Sequence, residues 1–358
     1  MINVTKTFFP PIEEYQNQLQ RIWDNQWLTN RGALVLELEE KLKEYLDIQH
    51  VLITNNGTIP LQIALKLLGN GGEIITTPFS YVATTAAIVW ENCIPVFVDI
   101  HPEYLTIDET KIEAAITNKT TAILATHVFG NPCHVEAIEL IAKKHNLKVI
   151  YDAAHCFGVT YKGKSVFDFG DISTCSFHAT KVFHTGEGGA VFTNDEELQH
   201  KIFYSHNFGH NGTLDFHGLG INAKISELQA AMGLAVLQFM DKILNGREKT
   251  VDFYNKNLKH SKIQTLKLRE GTSWNFSYYP IVLESESVLL EVMSQLNKNA
   301  IFPRRYFFPS LNTINYIAGE KMPISESIAS RILCIPLSAE YNEDDLNIIT
   351  NTINNVLC

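Results

Sequence analysis

Three runs in order, Thr121-Ala122-Ile123-Leu124-Ala125-Thr126-His127-Val128, then Val135 to His145, then Lys148-Val149-Ile150-Tyr151-Asp152, decide the fold. The outer two are apolar nearly throughout, as strands buried on both faces must be. Between them Val135, Ile138, Ile141 and Ala142 recur at helical spacing, Lys143-Lys144-His145 suits the negative end of a helix dipole, and Asn146 is a plausible stop. This is a strand–helix–strand unit. Working outward, the same rhythm of β-branched run, polar or glycine-rich turn and helical segment fills residues 50 to 195. Further strands are expected at His50 to Thr54, Glu73 to Thr77, Pro95 to Asp99, Ile172 to Phe177 and Gly189 to Thr193. The fold class is α/β.

Beyond residue 195 the rhythm changes. Ile225, Leu228, Met232, Ala235, Phe239 and Ile243 predict one long helix of about five turns bridging two lobes. The tail mixes a helix near Glu248 to Leu258, a strand near Phe276 to Leu283, a helix near Ser287 to Leu296 and the aromatic, basic run Phe302-Pro303-Arg304-Arg305-Tyr306-Phe307-Phe308-Pro309. The expectation is a large α/β domain over 1–240 and a smaller α+β domain over 241–358, packed together with any cleft between them.

With 29 Lys+Arg against 39 Asp+Glu the formal charge is −10, which disfavours a general nucleic-acid binder. At 45% hydrophobic and 19% charged residues the chain has the composition of a globular protein. Neither a signal-peptide core at Met1 to Pro11 nor any run of membrane-spanning length is visible, so a cytoplasmic protein with no membrane association is expected. Cys93, Cys133, Cys156, Cys175, Cys334 and Cys358 lack a paired C-x-x-C spacing; they read as reduced thiols, with no metal site.

The sharpest chemical signal is Ser176-Phe177-His178-Ala179-Thr180-Lys181-Val182-Phe183-His184-Thr185-Gly186-Glu187-Gly188-Gly189-Ala190. A lysine just past a buried strand can lose its proton by desolvation and attack a carbonyl, although a lone lysine is far more often a loop lysine in solvent and the context must decide. Asp152 ends a strand at the edge where open α/β sheets bind ligands. A carboxylate there can keep a pyridine nitrogen protonated, the electron sink of pyridoxal phosphate; in isolation it is also a turn or capping residue. His155 either flanks such a ring or is an interior histidine.

Thr54-Asn55-Asn56-Gly57-Thr58 lies between a strand and the helical run Leu61, Ala64, Leu65, Leu68, where backbone amides and the Thr58 hydroxyl make an anion cradle. Asn-Gly also makes hairpins, but no second strand follows. Thr77-Pro78-Phe79-Ser80-Tyr81-Val82-Ala83-Thr84 starts a helix with two aromatics suited either to a flat cofactor or to the core. Gly218-Leu219-Gly220-Ile221-Asn222-Ala223-Lys224 is expected to open the long helix, with Asn222 as a plain N-cap or an amide donor.

In this order and with these intervals, the motifs resemble the DegT/DnrJ/EryC1/StrS sugar aminotransferases, from Trp27-Leu28-Thr29-Asn30-Arg31-Gly32 to Pro336-Leu337-Ser338. The resemblance implies a fold-type I pyridoxal-phosphate-dependent transferase with a mainly parallel seven-stranded sheet flanked by helices. It implies Lys181 as the Schiff-base and proton-shuttling lysine, Asp152 on the pyridine nitrogen, Tyr81 stacked on the ring and His155 near the ring hydroxyl. Gly57, Thr58 and Ser176 would hold the phosphate, and Asn222 would reach it from the neighbouring subunit of a homodimer. His184, Arg304, Arg305 and Tyr306 stand in segments that face the sugar, the arginines as candidates for its diphosphate. Lys224 departs from the family, where many members carry Arg.

Lys181 separates this chain from the sugar 3-dehydratases of the same fold, which carry histidine there. The Gln26 to Asn30, Thr54 to Thr58 and Phe177 to Phe183 stretches are most similar to the branch that takes an amino group from L-glutamate to aminate dTDP-4-keto-6-deoxy-D-glucose, for surface polysaccharide such as O-antigen. A 3-keto-sugar aminotransferase and a non-catalytic nucleotide-sugar-binding protein are the alternatives. A dinucleotide-dependent oxidoreductase would need a Gly-x-Gly-x-x-Gly turn, which 54–58 lacks.

Overall fold

The computed structural model describes residues 1–317 and 319–357, apart from the side chain of His260. Seven strands form the central sheet: β1 (His50–Thr54), β2 (Glu73–Thr76), β3 (Ile94–Phe97), β4 (Thr120–Thr126), β5 (Lys148–Asp152), β6 (Ile172–Ser176) and β7 (Gly189–Thr193). Their order is β1-β7-β6-β5-β4-β2-β3. All neighbours pair parallel except β7, which runs antiparallel to both β1 and β6. This is the doubly covered, mainly parallel sheet expected.

Alternate residues of each strand feed two cores, as the pleat requires. Val51, Ile53, Ile123, Ala125, Val149, Tyr151, Ala190 and Phe192 face one, with Leu34, Leu38 and Leu42 of the helix Ala33–Leu46. Leu52, Ala122, Leu124, Ile150 and Val191 face the other, with Leu61, Leu65 and Leu68 of the helix Ile59–Leu68 and Ile88 of the helix Val82–Trp90. The crossover helix Val135–His145 buries Val135, Ile138 and Ala142.

The long bridging helix is two helices. Glu227–Leu237 starts on Ser226, whose hydroxyl accepts from Gln229 N while the Gln229 side chain accepts from Ser226 N. Asn222 therefore is not the cap. Phe239 leaves helical geometry (φ −107°, ψ 11°), its ring 5.7 Å from that of Phe8, and a second helix runs Met240–Asn257. The apolar spacing crosses the break because Leu234, Val236, Met240 and Ile243 all enter the same core.

The C-terminal part carries a three-stranded antiparallel sheet of Gln264–Thr265, Tyr279–Val282 and Ile332–Ile335, covered by helices Glu286–Lys298 and Glu343–Val356. Ile2–Asn3, assigned with the large lobe by the sequence reading, pairs with Ile301–Phe302. Polar contacts join the lobes. Buried Asp99, just after β3, accepts from the amides of Ile324 and Ser325 at the start of helix Pro323–Arg331, while Arg247 ties the second lobe together internally by donating to the carbonyls of Phe276, Ser277 and Leu337. Asn275 Nδ2 donates to the carbonyls of His155 and Phe157. Cys93, Cys133, Cys156, Cys175 and Cys334 are buried free thiols; Cys358 lies outside the described residues. Among the described residues no helix is long and apolar enough to cross a membrane.

Candidate active site

The loops at the carboxyl ends of β1, β2, β4, β5 and β6 surround a cavity of about 240 Å³, closed from the other lobe by Tyr278, Arg304, Tyr306 and Phe307. This is where a parallel sheet places ligands. Asp152, the last residue of β5, lies buried in its floor. Its Oδ2 accepts from Thr84 Oγ1 at 2.6 Å and its Oδ1 from Ala154 N at 3.1 Å. The chain of hydroxyls continues from Thr84 to Ser80 (2.7 Å) and on to Thr126 (3.1 Å) at the end of β4. Burial raises the Asp152 carboxyl above its ordinary range against the opposing pull of the Lys181 amine, and among the described residues no cation stands at salt-bridge distance from it. A buried carboxylate of that kind suits a cation brought by a ligand.

Lys181 lies half-buried in the loop after β6, its backbone N donating to His178 O at 2.8 Å and its Nζ 5.9 Å from the Tyr278 ring centre. Burial holds its amine below the usual lysine range, against the opposing pull of Tyr306 and Asp152. Burial also pushes Tyr278 up to about 12 and Tyr306 upward, so both phenols stay neutral donors.

On the opposite wall the loop after β1 touches the end of β6. A Cβ on Gly57 would fall 2.6 Å from Ser176 Cβ and 2.9 Å from its Oγ, so only glycine lets the two segments close. Asn56 Oδ1 accepts from the amides of Thr58 (2.8 Å) and Ile59 (3.0 Å), which starts the helix Ile59–Leu68 and aims its N-terminus at the cavity beside the Ser176 hydroxyl. Asn-Gly is thus a strand-to-helix turn, as the following pattern demands.

His155 is buried, with Nδ1 accepting from Phe129 N at 3.1 Å, and lies near parallel to the rings of Phe129 and Phe307. Burial carries its pKa well below the usual value, so the ring is neutral with its proton on Nε2. Tyr81 precedes the helix Val82–Trp90 and is 52% exposed at the cavity mouth, free to meet a flat ligand.

Gly57, Thr58, Tyr81, Asp152, His155, Ser176, Lys181, Arg304 and Tyr306 therefore line one cavity. Two sugar-facing assignments are corrected. His184 is buried away from it, Nε2 bonded to the Phe8 carbonyl at 2.7 Å and Nδ1 accepting from Gly186 N, so it anchors the N-terminal segment. Arg305 points back into its own lobe, donating to Glu286 Oε1 at 2.6 Å and Ser330 O at 2.9 Å. Asn222 is exposed and outside its own chain's cavity; its Oδ1 accepts from Lys224 Nζ at 2.8 Å. The sequence reading missed the role of Thr84, although it lay in a quoted motif, and it missed Ser80, Thr126, Tyr278 and Phe307.

The DegT/DnrJ/EryC1/StrS aminotransferase family model matches residues 11–354. The chain is 44% identical to a dTDP-4-amino-4,6-dideoxy-D-glucose transaminase of Shigella dysenteriae, covering 99% of each, and 39% identical to one of Escherichia coli, covering 98% of each. The solved structure of DesI in the presence of its TDP-sugar product is 30% identical and superposes with a TM-score of 0.93 over 100% of this chain and 92% of that one.

Proposed function

This chain belongs to the DegT/DnrJ/EryC1/StrS family of pyridoxal-phosphate-dependent sugar aminotransferases, and we propose that it moves the amino group of L-glutamate to C-4 of dTDP-4-keto-6-deoxy-D-glucose. The products are dTDP-4-amino-4,6-dideoxy-D-glucose and 2-oxoglutarate. The observation that carries the reading is the meeting of Lys181 and Asp152 in one cavity whose opposite wall is the Gly57–Ser176 closure.

The residues fit the cofactor. Asp152 would hold its pyridine nitrogen, since the buried carboxyl has no cation at salt-bridge distance and gains one there. The helix start at Thr58 and the Ser176 hydroxyl, brought side by side because Gly57 carries no side chain, would hold the phosphate. Tyr81 would cover one face of the ring and His155 stand beside its hydroxyl. Pyridoxal phosphate, when bound, supplies the electron sink that lets the amine-bearing carbon release a proton. Lys181 Nζ, its hold on a proton weakened by burial, takes that proton and returns it one atom further along. Thr84 keeps the Asp152 carboxylate aimed by donating to it, and the rings of Tyr278 and Phe307 shield the reacting atoms from water.

The same reading makes the enzyme a homodimer in which Asn222 enters the neighbour's phosphate site. Its support is that Asn222 is exposed, lies outside its own cavity and follows a segment whose Phe208, Leu214, Phe216, Leu219 and Ile221 are all exposed. The proposed setting is the bacterial cytoplasm and the proposed role the supply of an aminated sugar for lipopolysaccharide O-antigen. The enzyme loaded with pyridoxal phosphate is expected to lose its visible absorbance band on addition of L-glutamate, with one 2-oxoglutarate formed per site. A spectrum that glutamate leaves unchanged contradicts the proposal.

A further inference from the structure

Besides Lys181, whose amine is committed to the proton transfer, Arg304 is the sole lysine or arginine among the described residues lining the cavity. Its backbone is fixed: Arg304 N donates to Cys334 O at 3.0 Å and Cys334 N to Arg304 O at 2.8 Å, tying it to the strand Ile332–Ile335. Its guanidinium carbon stands 4.9 Å over the Tyr306 ring, on the same wall. The guanidinium makes no hydrogen bond or ion pair with the described residues. Arg305 next to it is the opposite case, with its charge spent on Glu286 and Ser330.

Both substrates of the proposed reaction are anions of similar reach. Glutamate brings two carboxylates and the nucleotide sugar brings a diphosphate. They occupy the cavity in alternation, never together, and the cavity offers either one the same free planar cation. A guanidinium fork fits a carboxylate or a phosphate with paired hydrogen bonds. We propose that Arg304 is a shared anion clamp, gripping a glutamate carboxylate in one half-reaction and the sugar's diphosphate in the other. Specificity for two unlike substrates then comes from one mobile side chain on a fixed backbone, with the rings of Tyr306 and Tyr278 beside it to guide its swing. This inference rests on the aminotransferase reading.

The test compares wild type, Arg304→Gln and Arg304→Lys in the two half-reactions separately, each followed by absorbance after rapid mixing. Titration calorimetry of dTDP on the cofactor-free protein adds a readout that needs no turnover. In Arg304→Gln the dissociation constants for glutamate, keto sugar and dTDP are all expected to rise by about ten- to a hundredfold, as for a lost charge-assisted hydrogen-bonded pair. Limiting rates should hold near wild type, and Arg304→Lys, which keeps the charge and loses the fork, should fall between. A rise for one substrate alone, or for none, overturns the shared clamp. A wild type inert to glutamate would instead fault the aminotransferase reading itself, so the two failures are distinguishable. Because Arg304 is exposed, the variants are expected to melt with wild type, which thermal unfolding checks.

Discussion

The floor of the cavity is a buried polar chain, from Asp152 through Thr84 and Ser80 to Thr126, in which each group is held by the next. Its rim, supplied by the C-terminal lobe, is a set of rings, Tyr278, Tyr306 and Phe307, around one unpaired arginine. A buried polar chain fixes geometry, because removing one member leaves its neighbours unsatisfied in a place where that is costly. Rings around a free charge leave room for ligands of different shape. The floor suits a cofactor that never changes, and the rim suits two substrates that take turns.

That contrast can be broken in order of expected effect. Lys181→Ala should lower turnover on the order of 10⁴-fold while leaving the fold intact, as measured by product formation and circular dichroism. Asp152→Asn keeps the shape and removes the charge, and should cost on the order of 10²- to 10³-fold in turnover. It should not destabilise the cofactor-free protein. Burial raises this carboxyl, so its ionised form lowers stability, and the contribution of the protonated form is fully present below the ordinary value of 3.8 and lost as pH rises through the raised one.

Thr84→Val should weaken cofactor binding by about tenfold or more, since the buried carboxylate loses its hydroxyl donor, and spectroscopic titration reads this directly. Lys181→Met in the cofactor-free protein should raise the melting temperature by a few degrees near neutral pH. The sign follows from the lowered amine: a protonated buried lysine disfavours the fold, and the penalty fades as pH climbs toward 10.5, so the gain should shrink over that window. The smallest effect is expected for Glu286→Ala, which frees Arg305 from a half-exposed pair. Stability should fall by no more than about 1 kcal/mol in a denaturant melt, and turnover should not change.

The same floor and rim differ in how far they could be read before the structure. Asp152 ends an apolar strand and so marks its own position in the sheet, and Gly57 is marked by the strand and helix around it, whereas Ser80, Thr84 and Thr126 join the floor through hydrogen bonds that no local pattern announces. The rim is assembled by folding. Tyr278 and Phe307 stand in a strand and an aromatic run that carry no mark of a site, and they reach the cavity because Asn275 and Asp99 pin the second lobe to the first. Neighbours in sequence also part company in space. Arg304 and Arg305 carry the same charge, yet alternation about the Cys334 bridge sends one to the cavity and the other to Glu286. The resemblance places His184 in a sugar-facing segment, but Phe8, distant in sequence, claims its ring. The long helix was over-read for a related reason: an apolar stripe records which core a segment faces and passes over a break such as Phe239 when both halves face the same core.

The most direct test of the central claim follows nitrogen. The enzyme loaded with pyridoxal phosphate is mixed with dTDP-4-keto-6-deoxy-D-glucose and ¹⁵N-labelled L-glutamate, and the product is examined by NMR for the carbon that carries the label. The account predicts ¹⁵N bonded to C-4, matched by an equal amount of 2-oxoglutarate, and no transfer in Lys181→Ala. Label at C-3, or a sugar recovered without nitrogen, would contradict it.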